Sequence, residues 1–213
     1  MIKVAVIDYG MGNLHSVLKS IEFVNDGASQ IVLTSDPDVV MRADKVVFPG
    51  QGGMRDCMRE LRDHGLAEAV VESTRNKPFF GICVGAQLLF DSSEEGDTPG
   101  LGLFHGQVKR FADGLSDSTG RLKVPHMGWN RVFQNRAHPL FAGIEDGARF
   151  YFVHSYYFAP QDTALTLAES EYPGRFSCIV GRENVFATQF HTEKSHHAGL
   201  QMMKNFLAWD GRD

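Results

Sequence analysis

Apolar residues along this chain gather in short continuous runs, and between the runs they recur at helical spacing. Ile2 to Ile7 is such a run and predicts a buried strand, whereas Leu14, Val17, Leu18, Ile21 and Val24 share one face of a helix. Gln30 to Thr34 predicts a second strand, and Lys45 to Phe48 a third that leads straight into Pro49-Gly50-Gln51-Gly52-Gly53. Met54 to Thr74 reads as helix interrupted around Gly65. Pro78 to Ile82 is the next buried strand, and Val84 to Phe90 reads as the first turns of another helix. Strands alternating with helices in this way imply a mostly parallel sheet.

The pattern then changes. Leu101 to Phe111 enters β structure, Asp113 to Gly120 reads as an exposed, mobile loop, and Tyr151 to Phe158 reads as one aromatic strand. Thr163 to Glu169, Phe176 to Val180 and Val185 to Phe190 follow as strands, the last two joined by a turn at Gly181 to Asn184. Ser195 to Trp209 predicts a closing helix with Ser195 as N-cap and Leu200, Met203, Phe206 and Leu207 on one face. The expected fold class is α/β, with a mostly parallel central mixed sheet flanked by helices and a smaller antiparallel sheet. At 213 residues, positions 1–213 fit a single domain.

Charge and cysteine content narrow the chemistry. A formal net charge of −5, without a run of lysine or arginine, argues against nucleic acid or an anionic membrane as the principal partner. The N-terminus lacks a signal-peptide pattern and no segment is long enough to span a bilayer, so a soluble, cytoplasmic protein is expected. Cys57, Cys83 and Cys178 show no zinc-like spacing, and neither a disulfide framework nor a metal is indicated. Cys57 and Cys178 read as ordinary buried thiols. Histidines 64, 196 and 197 read as surface residues.

Cys83 is different because Gly81 and Gly85 flank it at a strand-to-helix junction. A lone cysteine in an apolar run is usually a buried structural thiol, but a strand interior gains nothing from glycine unless backbone or ligand comes close. G-x-C-x-G is the thiol form of a nucleophile elbow, with the Val84 amide placed as an oxyanion donor and the following helix favouring a thiolate. Downstream, Val185-Phe186-Ala187-Thr188-Gln189-Phe190-His191 reads as a strand reaching His191. Glu193 lies two residues on, so in extended chain both face one side. His191 as general base, oriented by Glu193, completes the logic of a catalytic triad. Asp8-Tyr9-Gly10-Met11-Gly12-Asn13 fails as a dinucleotide fingerprint, since His15 stands where a third glycine belongs, and reads as a tight turn with Asn13 as N-cap.

Gly81-Ile82-Cys83-Val84-Gly85-Ala86-Gln87, Pro49-Gly50-Gln51-Gly52 and His191-Thr192-Glu193-Lys194-Ser195 together resemble the nucleophile, oxyanion and His/Glu motifs of the class I glutamine amidotransferases. That resemblance implies glutamine hydrolysis by Cys83, His191 and Glu193 without a cofactor. It implies oxyanion donors from Val84 and from the Gly50, Gln51, Gly52 loop. It also implies L-glutamine held by Gln87, Glu95, Ser155 and Tyr156. The Asp8 to Asn13 segment and His126-Met127-Gly128-Trp129-Asn130 resemble one branch of the family, in which the glutaminase pairs as a heterodimer with a (βα)8-barrel cyclase. Asn13, Met127 and Trp129 would then face that partner. The chain departs from the family pattern at Thr192, where proline is usual, and at Gln51 and Gly53. Judged on residues alone, a cysteine hydrolase or peptidase on a flavodoxin-like sheet, or a non-catalytic binding module, stays open.

Overall fold

The computed structural model describes residues 1–117 and 120–212. The first half follows the apolar runs: β1 (Ile2–Ile7), α1 (Leu14–Val24), β2 (Ser29–Thr34), α2 (Pro37–Arg42), β3 (Lys45–Gly50), α3 (Met54–Asp63), α4 (Ala67–Asn76), β4 (Phe79–Cys83) and α5 (Val84–Gln87). Strand β1 lies between β2 and β3, with β4 beyond β3, all parallel. Val4, Val6, Val46, Val47, Phe48, Phe79 and Phe80 are buried. Burial on both faces is why these strands read as continuous apolar runs rather than alternating ones.

After α5 the chain departs from expectation. The predicted helix from Val84 to Phe90 is a single turn, and Phe90 opens β5 (Phe90–Ser93), which pairs with β6 (Thr98–Pro99) and β7 (Phe104–Arg110). The carbonyls of Leu88, Leu89 and Phe90 accept from the amides of Leu101, Leu103 and Gly102, respectively. Carbonyls committed across the chain are lost to a helical ladder, so the helix stops. The predicted loop from Asp113 to Gly120 contains paired β8 (Ser116–Asp117) and β9 (Gly120–Arg121); Ser118 and Thr119 lie outside the described residues.

The remaining elements are β10 (His126–Arg131), β11 (Phe133–Gln134), β12 (Arg149–His154), β13 (Tyr156–Pro160), β14 (Thr166–Glu171), β15 (Arg175–Arg182), β16 (Val185–Thr188) and α6 (His196–Ala208). The aromatic run predicted as one strand is two, broken at Ser155. Strand β12 pairs with β10 in a small antiparallel ribbon, while β13 enters the large sheet between β7 and β15. Phe150 and Phe152 pack on Phe190, and Phe158 stacks on Phe90 at 5.2 Å. One straight strand cannot serve both layers.

The large sheet has twelve strands among the described residues, ordered β2-β1-β3-β4-β16-β15-β13-β7-β5-β6, with β14 and β11 joined beside β15. Because β16 runs parallel to β4, its end emerges beside Cys83. Helix α6 buries Gly199, Met202, Met203 and Phe206, while Leu200 and Leu207 are only half-buried. The shift from the predicted face follows from Gly199, where a Cβ would overlap the Thr192 carbonyl oxygen. Among the described residues no helix is long and apolar enough to cross a membrane.

Candidate active site

Cys83 ends β4 with φ 55° and ψ −116°, a left-handed conformation that costs an L-residue strain and persists only when the surroundings enforce it. The enforcement comes from glycine contacts. A Cβ at Gly85 would overlap the Phe48 carbonyl oxygen, and one at Gly50 would overlap the Gly85 amide nitrogen. Strand β3 therefore lies backbone to backbone on the first turn of α5, in register with Gly50 beside Cys83. Gly81 packs on Ala86, with a would-be Cβ 3.1 Å from its Cα. The flanking glycines serve this close approach of backbone. Helix α5, only four residues long, also lacks the extended dipole expected to support a thiolate.

The charge facing Cys83 comes instead from His191. Its Nδ1 donates to Glu193 Oε1 at 2.7 Å, which directs Nε2 away from the carboxylate. That Nε2 is buried without a hydrogen-bond partner. Burial alone pulls the imidazole toward its neutral form, but Cys83 and then Glu193 outweigh it and raise its pKa to about 10. Such a shift describes an imidazolium facing the Cys83 sulfur, the charge a Cys–His pair needs. The route to this geometry differs from the predicted extended strand. Strand β16 stops at Thr188, His191 bridges to Tyr151, and Thr192–Lys194 form a 3-10 turn that swings Glu193 back onto His191. Ser195 carries no helix cap: its hydroxyl donates to the His191 carbonyl at 2.6 Å and accepts from Tyr151 N at 2.9 Å.

A cleft of about 260 Å³ opens over Cys83. Gln51, Gly52, Val84 and His191 line it beside Cys83, and Gln87, Glu95, Ser155 and Tyr156 line the remainder with Pro125, Val153 and His154. Gly50 sits behind the loop in β3 and Glu193 behind His191. Glu95 Oε2 also accepts the first amide of α3, Met54 N, at 2.7 Å. Gln87 Nε2 donates to Gln189 Oε1 at 3.0 Å, and Gln189 Nε2 reaches Cys83 Sγ at 4.0 Å. Sequence reasoning missed Gln189 as a site residue; its position two before His191 was the available signal. It also missed Cys57, whose thiol donates to the Gln51 carbonyl at 3.4 Å and is pushed up to about 11, chiefly by burial.

Asn13, Met127 and Trp129 lie outside the cleft. Met127 and Trp129 are 62% and 42% exposed, both pointing outward from β10. Trp129 stacks on His196 at 4.8 Å, so that surface histidine covers an aromatic face. Asn13 precedes α1 without a side-chain capping bond. Its neighbour Gly12, at φ 117°, lies against the Gly50–Gly52 loop, with a would-be Cβ 3.6 Å from Gln51 N. Among the described residues no group of histidine, cysteine and carboxylate side chains is arranged to hold a metal.

The geometry has relatives. Residues 5–209 match the family model described as glutamine amidotransferase class-I. The imidazole glycerol phosphate synthase subunit HisH of Chromobacterium violaceum is 76% identical over 209 residues, covering 98% of this chain and 99% of that one. The protein of the same name from Neisseria gonorrhoeae is 66% identical, covering 96% and 99%. Among solved structures, a glutamine amidotransferase superposes with a TM-score of 0.72 at 17% identity, covering 96% of this chain and 97% of its own. PurLQS from Thermotoga maritima superposes with 0.71 at 17% identity, covering 97% and 98%. At those identities the structures speak for the fold alone.

Proposed function

The chain belongs to the class I glutamine amidotransferase family, and from that premise we propose that it is the glutaminase subunit of an imidazole glycerol phosphate synthase. It hydrolyses L-glutamine to glutamate and ammonia as one domain, and a (βα)8-barrel cyclase partner receives the ammonia. The observation that carries the chemistry is Cys83 at a strained elbow, facing an imidazolium whose Nδ1–H is held by Glu193 so that Nε2 is directed away from that carboxylate. The near-complete coverage by HisH relatives carries the partner.

The Cys83 thiolate attacks the side-chain amide carbon of glutamine. Electrons move onto the carbonyl oxygen, which is received by the Val84 amide and an amide of the Gly50–Gly52 loop. One such donor lowers a barrier by about 3 kcal/mol, so the setting of that loop governs the rate. As the tetrahedral species collapses, the His191 imidazolium gives its Nε2 proton to the departing nitrogen and ammonia leaves. Water then attacks the γ-glutamyl thioester, His191 takes its proton, and glutamate is released with the thiolate restored. Glu95 Oε1 is the carboxylate oxygen left for the substrate α-ammonium, because Oε2 is taken by Met54 N. The partner consumes ammonia with a phosphoribulosyl carboxamide ribonucleotide, forming imidazole glycerol phosphate and aminoimidazole carboxamide ribonucleotide in histidine biosynthesis.

Glutamate release from glutamine, measured for the chain alone and then with the cyclase and its nucleotide ligand, tests this reading. Strong stimulation that disappears in Cys83→Ala supports both triad and partner. High activity without any partner would keep the triad and remove the cyclase, and silence in both conditions would leave a binding module on an amidotransferase fold.

A further inference from the structure

Two histidines that the proposed reaction does not use meet at the cleft, His154 lining it and His126 behind it. His126 of β10 and His154 of β12 stand opposite each other in the ribbon, and His126 Nδ1 is 2.9 Å from His154 Nε2. His154 Nδ1 is 2.7 Å from the Tyr156 carbonyl oxygen. At the other end, Asn130 Nδ2 is 3.3 Å from His126 Nε2 and donates to the Glu171 carbonyl at 2.8 Å.

The direction of every proton in this chain follows from its fixed end. A carbonyl only accepts, so His154 carries its proton on Nδ1 and presents Nε2 as an acceptor. His126 must then donate from Nδ1, which leaves its Nε2 to accept from the Asn130 amide. Both rings are buried among aromatics: Tyr172 stacks on His126 at 4.0 Å, and Phe111 and Phe176 pack edgewise or tilted on His154. Burial lowers His126 to about 4 and His154 to about 3, which keeps both neutral near neutral pH and so holds each to one ring proton.

The chain ends where the aromatic run breaks. Ser155 and Tyr156 both line the cleft, and their carbonyls are separately anchored, Ser155 by Phe111 N at 3.0 Å and Tyr156 by His154. We infer that His126 is a positioning residue for the glutaminase: through His154 it holds the Tyr156 carbonyl and thereby sets the Ser155–Tyr156 backbone that receives the carboxylate of glutamine. This rests on the glutaminase reading and assigns His126 the task of fixing, from outside the cleft, the ring of His154 that lines it. His126 does not line the cleft, yet Met127 and Trp129 on the opposite face of β10 are exposed, so one strand joins the outer surface to the substrate backbone.

His126→Asn and His126→Leu separate positioning from packing. Asparagine offers an amide donor near the Nδ1 position, whereas leucine fills space and leaves His154 Nε2 buried without a donor. With the cyclase partner present, His126→Leu is expected to raise KM for L-glutamine about tenfold with kcat within about twofold, and His126→Asn to stay near the parent. Nitrogen NMR of the parent should show both rings protonated on Nδ1. The backbone amides of Ser155 and Tyr156 should shift in the leucine variant more than in the asparagine variant. Protonation on Nε2 in either ring, equal behaviour of the two variants, or a loss confined to kcat would overturn the inference. A parent that releases no glutamate would remove the glutaminase reading, and the tautomers and amide shifts would still decide whether His126 orders this backbone.

Discussion

His191 and Glu193 meet at 2.7 Å although the chain between them turns through a 3-10 helix rather than running extended. Glu193 Oε2, on the same carboxylate, is buried and without a partner. The carboxylate nevertheless orients the ring and supports an imidazolium. Glutaminase kcat in the partnered Glu193→Gln enzyme is expected to fall by roughly 100-fold or more through loss of the orienting charge. A kcat within twofold of the parent would remove Glu193 from the reaction.

Gln189 offers a second test. It accepts from Gln87 and reaches toward Cys83, so leucine in its place leaves the Gln87 amide buried and unpaired. Leaving such a group without its partner costs roughly 1–3 kcal/mol. Gln189→Leu should slow alkylation of Cys83 by a glutamine-like electrophile and lower the unfolding free energy by about that amount. If labelling rate and stability both match the parent, the Gln87–Gln189 contact has no energetic role.

The backbone contact between β3 and α5 is expected to tolerate no methyl group. Gly85→Ala would drive a Cβ into the Phe48 carbonyl, and neither group sits at the end of a flexible side chain. Destabilisation of several kcal/mol is expected in urea unfolding, at the upper end of single substitutions. Gly174→Ala, with nothing within 4 Å of its would-be Cβ, is the matched control and should change stability little. Comparable midpoints for the two variants would contradict the close packing that enforces the strain at Cys83.

Much of this was legible in the chain because its determinants are local. Strands β1, β3 and β4 are buried on both faces and show it as unbroken apolar runs, and Cys83 announces itself through two glycines that a strand would not keep. What escaped depends on partners distant in sequence. Nothing within Leu88-Leu89-Phe90 shows that its carbonyls belong to amides at 101–103, so the run passes for helix. Gln189 is defined as a site residue by Gln87 and Cys83, each more than a hundred positions away. The break at Ser155 is hidden because two aromatic stretches that serve different layers are joined by a single polar residue.

Acid should loosen the fold in a window set by the buried histidine pair. Both folded-state pKa values, about 4 for His126 and about 3 for His154, lie below the ordinary 6.5. Between those limits the unfolded chain binds more protons than the native one, so stability is fully present above pH 6.5 and falls as pH drops toward 4 and then 3. Each ring contributes a few kcal/mol at most, since one pKa unit is worth about 1.4 kcal/mol. His126→Asn removes one of the two groups, and its urea midpoint should decline less steeply from pH 6.5 to 4.5 than the parent's. Parallel slopes would show that other groups govern acid unfolding.

The last expectation concerns the outer face of β10. Met127 and Trp129 together expose an apolar pair on a strand whose buried face holds His126, and such a pair has little to gain from water. Tyr151 and His196 flank Trp129, the ring of His196 lying parallel to it at 4.8 Å, so the indole is held in place rather than free to collapse. A preset aromatic anchor of this kind is what a partner surface uses, because it is ordered before binding. Met127→Ala, Trp129→Ala and Asn13→Ala should each leave the thermal midpoint within a few degrees of the parent. In titrations with the cyclase barrel, Trp129→Ala is expected to weaken association by roughly 2 kcal/mol, the scale of a buried aromatic anchor, and to lower the stimulation of glutamate release in proportion. Undiminished stimulation in all three variants would place the partner on another face and leave β10 with only its inward task.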